Sequence, residues 1–583
     1  GPNAWIQDYD DLSNELRLLA ALTLSYKISD TFTYKVKYGG DYRNKERKVW
    51  YGTSIFRGSQ VNGEAGIAEL ARFRYNLDNT LQFNKRINRN HRINGTVGVV
   101  LDQRFTNQTA NTGTGFPIKD LRADGLESAE VNFPTRLNKE RESMLSFLGR
   151  VNYTLKHKYL FTSTYRADGS SKLSEGQRWG HFPAMAFAWK LDKESFMKKF
   201  ESISSAKVRL GWGLTGNQSI PNYRYLTFLT ATNVPYSDGN GGGLNGVVPG
   251  SLANKDLTWE TTSQYNAGLD LGLFDERFTL TADVFHKTID DLLLNTEIGP
   301  STGYTNYYAN GGSIINKGVE LSFSADIVSK DNFKWNVYGN FTKVNNEISD
   351  LGGIPPTPFG NNTYVAFEGR IVTGGSFFRS PANIFIKGKA PGLFFGYQTN
   401  GIIHNQDVLN SAPTFQGSPA QLGDVLLVDT TGDGNITSAD RTIIGDPNPD
   451  FTYGFGSSLE YHGVQLSFIF NGSFGNDIVN GNLTREAYAA GNRPGNIRSE
   501  AYLDAWSPTN TDGMYPRVNY TLSTSTGLTD RSVENGSFLR LSNVSLGYTI
   551  PTSENGFIDS AYLSVSGQNL LLFTDYLKRK KIL

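Results

Sequence analysis

Cysteine is absent from all 583 residues. Disulfide frameworks, thiolate metal sites and cysteine nucleophiles are therefore excluded. Net charge is absent as well, because 56 Lys and Arg balance 56 Asp and Glu. The two signs interleave along the chain, which removes the electrostatic basis for a nucleic-acid surface. Charged residues make up 19% and apolar residues 38%, both below the roughly 25% and 45–50% of soluble domains. No apolar run is long enough for a transmembrane helix. The chain opens at Gly1-Pro2 without a charged and then apolar leader, so no signal peptide is expected. No HExxH, phosphate-binding loop, dinucleotide fingerprint or GxSxG elbow occurs, and the six His are dispersed. Catalysis is not expected.

Glycine (62) and the aromatics (36 Phe, 29 Tyr, 8 Trp) are what the chain has in quantity. They sit within a period of two. Leu22, Leu24, Tyr26 and Ile28 alternate with Thr23, Ser25 and Lys27, and Phe32, Tyr34, Val36 and Tyr38 with Thr33, Lys35 and Lys37. Phe73, Tyr75, Leu77, Asn79, Leu81 and Phe83 oppose Arg74, Asn76, Asp78, Thr80, Gln82 and Asn84. The same alternation returns at 92–101, 147–155, 333–341 and 461–470, with a phase slip at His462-Gly463 that reads as a turn or bulge. A weaker alternation runs through Leu539–Leu546. Alternate side chains of a strand point to opposite faces, so each segment is apolar on one side and polar on the other.

Many of these segments run about 9–13 residues, longer than the usual strand and matched to a tilted crossing of lipid. Short polar turns (88–90, 155–158) alternate with longer stretches rich in Gly, Asn, Ser and Thr at 106–141, 230–257, 293–312, 353–378, 403–422, 481–508 and 520–535. This asymmetry predicts an all-β fold: a large antiparallel transmembrane β-barrel of roughly 16–20 strands with long extracellular loops. Tyr34, Tyr38, Tyr42, Trp50 and Tyr51 are candidates for an interfacial aromatic girdle. Periodicity alone leaves a water-soluble sandwich open, because it does not say which face looks outward. No domain boundary is evident, and the helical pieces (193–202, 501–507) are short.

Two sets of residues are candidate sites. Tyr304, Tyr307 and Tyr308, with Phe377 and Phe378, place aromatic rings in Gly-rich loops where they could stack on sugars or pack on peptide side chains, or simply pack loop on loop. Asp429, Thr431, Asp433, Asn435 and Asp440 fall at positions 1, 3, 5, 7 and 12 of a calcium-loop spacing, with Gly434 at the turn. Thr at the third position, the short Asp at the twelfth and the lack of flanking helices weaken that match. The alternative is an Asx-rich turn without an ion, so no cofactor is required and a structural Ca²⁺ is the candidate.

Several phrases carry a family resemblance. They include Gly149-Arg150-Val151-Asn152-Tyr153, Arg166-Ala167-Asp168-Gly169-Ser170-Ser171-Lys172 and Leu257-Thr258-Trp259-Glu260-Thr261-Thr262. Further on are Asn316-Lys317-Gly318-Val319-Glu320-Leu321, Pro391-Gly392-Leu393-Phe394-Phe395-Gly396-Tyr397 and Gly536-Ser537-Phe538-Leu539-Arg540-Leu541 through Tyr548. In this order, from about residue 15 to about residue 575, they resemble the barrel of the SusC/RagA family, TonB-dependent outer-membrane transporters of Bacteroidota. The resemblance implies a barrel of 22 strands, of which residues 1–583 would be a part without the plug and without the first and last strands. It implies import of a large nutrient, an oligosaccharide or oligopeptide. It also implies a SusD-like surface lipoprotein as partner, energy from TonB–ExbB–ExbD reached through an N-terminal plug region, and a surround of lipid and lipopolysaccharide. The alternative is an outer-membrane barrel that serves as a binding or secretion scaffold without active uptake.

Overall fold

The structure, a computed structural model, describes residues 2–237, 243–298, 300–304, 306–352, 357–359, 362–369, 382–481, 483, 499–517, 528–552, 558 and 560–576; Phe377 and Phe378 lie outside the described residues. The chain divides into two compact units, residues 1–187, 212–261 and 291–310 in one and residues 188–211, 262–290 and 311–583 in the other.

The first unit is built on β1 (Tyr9–Lys27), β2 (Phe32–Tyr51), β3 (Glu64–Asn88), β4 (His91–Thr114), β5 (Arg136–Leu155), β6 (Tyr159–Ser170) and β7 (Trp179–Lys190). Successive strands from β1 to β6 pair antiparallel in one meander. The second unit holds most of β8 (Ile203–Asn217) and β9 (Glu260–Leu273), then β10 (Phe278–Asp290), β11 (Ser313–Lys330), β12 (Phe333–Asp350), β13 (Phe451–Tyr461), β14 (Val464–Phe474), β15 (Phe538–Ile550) and β16 (Ala561–Thr574). From β10 onward these also pair antiparallel in chain order. With the two-residue strand Val131–Asn132, which pairs with β4, the described long strands number 17 over the two units.

The registers keep each face continuous from strand to strand. Tyr34 stands opposite Leu81, Leu81 opposite Val97, Val97 opposite Gly149 and Gly149 opposite Tyr165. On the other side of the pleat, Arg74 faces Arg104 and Arg104 faces Glu142. A one-residue slip anywhere would mix the two sets. The apolar side is not a core. Leu22, Leu24 and Val97 are 56%, 60% and 50% exposed, and Val99, Phe147, Tyr165, Leu546 and Val565 are exposed as well, while Phe468 is half-buried. Among the described residues, the fully buried large side chains (Trp50, Phe116, Leu173, Leu257, Ile384, Ile403, Ile436 and Leu528) lie outside this apolar belt.

The strands are longer than the alternation suggests. β1 to β5 have 19, 20, 25, 24 and 20 residues. Beyond the apolar belt both faces meet water, so Asn44–Lys48 and Asn107–Thr112 are polar on both sides, and the period-two signal stops while the backbone ladder continues. Within 106–141, read as loop, the strands continue through Thr114 and resume at Arg136, so the connection narrows to 115–135. Trp50 leaves the proposed girdle: it is buried against Phe116, with ring centroids 5.0 Å apart.

Phase slips have local causes. His462 and Gly463 both have positive φ, 47° and 84°, and make the two-residue turn between β13 and β14. A bulge between Leu541 and Asn543 shifts β15 by one residue, so that Leu539 and Leu541 share a face with Val544 and Leu546. This is why the alternation there reads weakly. Short turns join strands at one end of each hairpin, and the connections at the other end are long. In the second unit, parts of 382–450, 499–517 and 528–535 fold on themselves around Tyr397, Ile402, Val425, Leu427, Ile436, Ala501 and Trp506.

Candidate functional site

The polar face of the sheet carries matched charges. In the first unit Arg17 pairs with Asp41 at 2.8 Å, Arg43 with Glu15 at 2.8 Å, Arg47 with Asp11 at 2.6 Å, Arg74 with Asp102 at 2.9 Å and Arg104 with Glu142 at 3.1 Å. All ten residues lie on the side of the pleat opposite Leu22, Leu81 and Val97. In the second unit Arg209 of β8 reaches Asp270 of β9 at 2.8 Å and Asp283 of β10 at 2.9 Å, and Lys207 joins Asp270 at 2.7 Å. Exposed pairs of this kind add little stability. Their consequence is a hydrated surface on which these five arginines and Arg209 each have an anion beside them, while Lys35, Lys37, Arg72 and Arg150 stand on the same side as further cations. Sequence reading identified this face as polar but not the pairs, because partners sit on different strands and only the register brings them together.

The aromatic loop residues separate in role. Leu293–Glu297 and Asn306–Asn310 form a hairpin with Thr296 opposite Tyr307 and Asn295 opposite Tyr308. Tyr308 packs on a cluster of Leu173, Phe182, Ile220, Leu257 and Trp259. The Arg224 guanidinium stands 5.2 Å from its ring, and its carbonyl accepts from Asn254 Nδ2 at 2.9 Å. Adjacent strand residues point oppositely, so Tyr307, half-buried, faces away from that cluster. Tyr304 is half-buried beside Thr302, whose hydroxyl accepts from its N–H at 3.3 Å. The Trp259-Glu260 phrase anchors the same hairpin. Trp259 Nε1 donates to the Arg178 carbonyl at 3.0 Å, and Glu260 accepts from Asn217 Nδ2 at 2.9 Å and from Leu293 N–H at 3.2 Å. Asn310 ties the other side, donating to the carbonyls of Thr258 and Asp291, both at 3.0 Å.

In the 429–440 loop the oxygens proposed as cation ligands are engaged by the loop itself and by the adjoining Thr414 and Gly417. Asp440 is fully buried and accepts from the N–H groups of Thr430 (3.0 Å), Thr431 (3.1 Å) and Thr437 (2.7 Å). Asp429 accepts from Gly432 at 2.7 Å and Gly434 at 2.6 Å. The Thr431 hydroxyl lies 3.1 Å from Asp429 and 3.0 Å from Asp440. Asp433 accepts from Asn435 N–H at 2.8 Å, and Asn435 Oδ1 from Thr414 Oγ1 and Gly417 N–H, both at 2.9 Å. The Gly434 N–H, followed by those of Gly432 and the Thr431 hydroxyl, holds the Asp429 carboxyl below its ordinary value against an opposing desolvation effect. Positive φ at Gly432 (75°) and Gly434 (80°) lets the backbone turn inward. Ile436, 1% exposed, then anchors the loop in the buried cluster around Tyr397 and Trp506. Among the described residues no group of three or more His, Asp and Glu is placed to hold a metal ion.

Comparison with known proteins gives a consistent result. The family described as TonB dependent receptor-like, beta-barrel matches residues 1–401. TonB-dependent receptor P3 of Formosa agariphila is 32% identical over 555 residues, covering 95% of this chain and 53% of that protein. TonB-dependent receptor SusC of Bacteroides thetaiotaomicron is 31% identical over 431 residues, covering 73% of this chain and 40% of SusC. The chain thus spans about half the length of the curated relatives it matches. Among solved structures, the RagAB peptide transporter superposes with a TM-score of 0.81 at 21% identity, over 98% of this chain and 60% of that one.

Proposed function

Since the chain belongs to the TonB-dependent receptor β-barrel family and is an outer-membrane barrel related to SusC and RagA, we propose that the whole protein imports a large polar nutrient, an oligosaccharide or oligopeptide. In this reading a SusD-like surface lipoprotein delivers the nutrient and TonB, with ExbB and ExbD, supplies the energy. The observation that carries the proposal is the opposition of the two faces. The apolar side of the sheet is exposed, as a lipid-facing surface must be, and the ion-paired side offers a wet, charged lining along which a hydrated cargo can move. A matched structure is described as a peptide transporter and a relative is SusC, and a wet, polar lining suits either cargo.

Tyr307 is the proposed loop contact, because its ring points away from the cluster that holds Tyr308. Replacing Tyr307 with Ala should lower affinity for the nutrient about three- to tenfold, the scale of one aromatic contact, with barrel folding unchanged. Uptake of labelled oligosaccharide and oligopeptide pools by cells carrying the receptor, with and without TonB, is the measurement. Uptake that persists at full rate without TonB would remove energy coupling from the proposal. An unchanged affinity in the Tyr307→Ala receptor would remove that contact. The 429–440 loop is proposed to be structural and held by its hydrogen bonds, with Ca²⁺ as the alternative tested by chelation.

A further inference from the structure

We propose that Arg224 is the anion-reading residue of a cargo site in the first unit, and that the cargo it selects is an oligosaccharide carrying an acidic group, a carboxylate or a sulfate. The inference rests on the import function proposed for the whole protein and narrows its cargo. Residues 218–226 form a strap along the polar side of β5 and β6. Gln218 Nε2 lies 3.5 Å from Met144 Sδ, the Ser170 hydroxyl donates to Gln218 Oε1, and Asn222 Nδ2 donates to Glu140 at 2.8 Å. Met144, Ser170 and Glu140 all stand on the side of Arg104 and Glu142. Tyr223 fixes the strap. Its hydroxyl accepts from the Arg141 N–H at 2.8 Å and donates to the Arg141 carbonyl at 3.1 Å. Its backbone sits at φ 66°, a strained setting for a bulky residue. Just past this turn the Arg224 guanidinium stands 5.2 Å from the Tyr308 ring. Asn254 ties the two, donating from its N–H to the Arg224 carbonyl at 3.2 Å and from Nδ2 to the Tyr308 carbonyl at 2.9 Å.

Stacking uses the face of a guanidinium. Its N–H donors lie in the plane and still need acceptors. Arg224 is half-buried, its Nε is enclosed without an acceptor, and its side chain makes no ion pair or hydrogen bond among the described residues. Other stacked arginines of this unit do find acceptors. Arg57, over Tyr51, pairs with Glu64, and Arg141, over Phe105, reaches Gln103 Oε1 at 3.4 Å. An enclosed cationic donor without an acceptor is costly, and an anion arriving from outside relieves that cost.

The neighbouring orphan groups favour a sugar over a peptide. Asn222 Oδ1, two residues before Arg224, and Ser251 Oγ, three residues before Asn254, are also buried without partners. The first needs a donor, and the second can give and accept. Ring hydroxyls of a sugar meet both, while an acidic substituent on the same sugar meets Arg224 through parallel N–H···O bonds. A peptide carries its carboxylates only at Asp, Glu and its C-terminus, without ring hydroxyls beside them. The polar side of the same unit continues in the same sign. Lys35 faces Thr80, Arg72 has its Nε enclosed without an acceptor, and Arg150 Nε reaches only the neutral Asn152 Oδ1, at 3.3 Å. An anion moving along this side therefore meets cations that no acid has already paired.

The test measures binding of defined oligosaccharides to the whole purified receptor in detergent, by isothermal titration calorimetry. The probes are oligogalacturonate and its uncharged methyl ester, and a sulfated galactan oligosaccharide and its desulfated form. The variants are Arg224→Met, which keeps an apolar stem over Tyr308, Arg224→Lys, and the control Arg89→Met, an exposed arginine of the turn between β3 and β4. Heat-dependent gel migration and protease resistance of 293–310 confirm folding of each. The native receptor should prefer an acidic sugar over its neutral counterpart by roughly 10- to 100-fold, and the preferred acid assigns carboxylate or sulfate. The preference should vanish in Arg224→Met, persist in part in Arg224→Lys, whose ammonium lacks the planar fork, and stay unchanged in the control. A merely structural arginine would weaken acidic and neutral sugars alike in Arg224→Met, and that result overturns the proposal. So do equal affinities for acidic and neutral sugars in the native receptor, and a lack of binding by both acidic sugars. Tighter binding of oligoglutamate would assign the site to an acidic peptide and overturn it too. The import function fails separately. Arg224-dependent binding with uptake that ignores TonB removes transport and leaves the site, whereas TonB-dependent uptake without preference for acid removes the site and leaves transport.

Discussion

An arginine on the belt side of β4 separates a lipid-facing surface from a water-facing one. Val97 is half exposed and stands between Leu81 of β3 and Gly149 of β5. Next to it Thr96 points to the polar side, opposite Gln82. Val97→Arg and Gln82→Arg therefore add the same guanidinium at the same height on opposite faces. In water an exposed Val→Arg change stays within about 0.5 kcal/mol. In the hydrocarbon it costs about 2–4 kcal/mol near the midplane and less toward the interfaces. That is roughly a 30- to 900-fold loss in the folded-to-unfolded ratio. Gln82→Arg has the neutral neighbours Thr33 and Thr96 and should shift stability by less than about 1 kcal/mol. Reversible unfolding of the receptor in phosphatidylcholine vesicles, followed by tryptophan fluorescence across a guanidinium series, reads both. Equal and small effects from the two substitutions would refute the assignment of the exposed apolar side to lipid.

Tyr308→Ala should destabilise the 293–310 hairpin by about 3 kcal/mol or more, as large aromatic truncations do. Protease cleavage in 293–310 should rise while Tyr307→Ala leaves it unchanged; equal cleavage in both would contradict the split in their roles. Asp440→Ala strips the buried acceptor from three backbone N–H groups, at a cost of about 1–3 kcal/mol for each donor left unsatisfied, and should expose 429–440 to proteolysis. A chelator added to the native protein should leave that loop as resistant as before; loosening by chelator would replace the hydrogen-bond account with a bound Ca²⁺. Asp429, with a folded value below the ordinary 3.8, stabilises the loop at pH above 3.8, and this contribution is lost as pH falls through the depressed value. Proteolysis with an acid-active protease should therefore rise only below about pH 4, and Asp429→Asn should remove that step. A step centred near pH 6 would point to another group.

The sequence by itself determined the strands, the two faces of each and the side on which the short turns fall, because a period of two needs only neighbours in the chain. It also carried the turn at His462-Gly463. The lengths of β1 to β5 were hidden where Asn44–Lys48 and Asn107–Thr112 meet water on both faces, since nothing then distinguishes alternate side chains. The shift in β15 was hidden because a bulge between Leu541 and Asn543 inverts the pattern midway. Trp50 read as a girdle residue until Phe116, 66 positions away in the sequence, was found to cover it. Partners such as Arg209 with Asp270 and Asp283, or Tyr308 with Trp259, depend on which strand lies beside which. Only the tertiary structure decided that Leu22, Leu24 and Val97 look outward. Alternation is the same whether the apolar side closes on a core or opens to lipid, and the difference lies in what covers it.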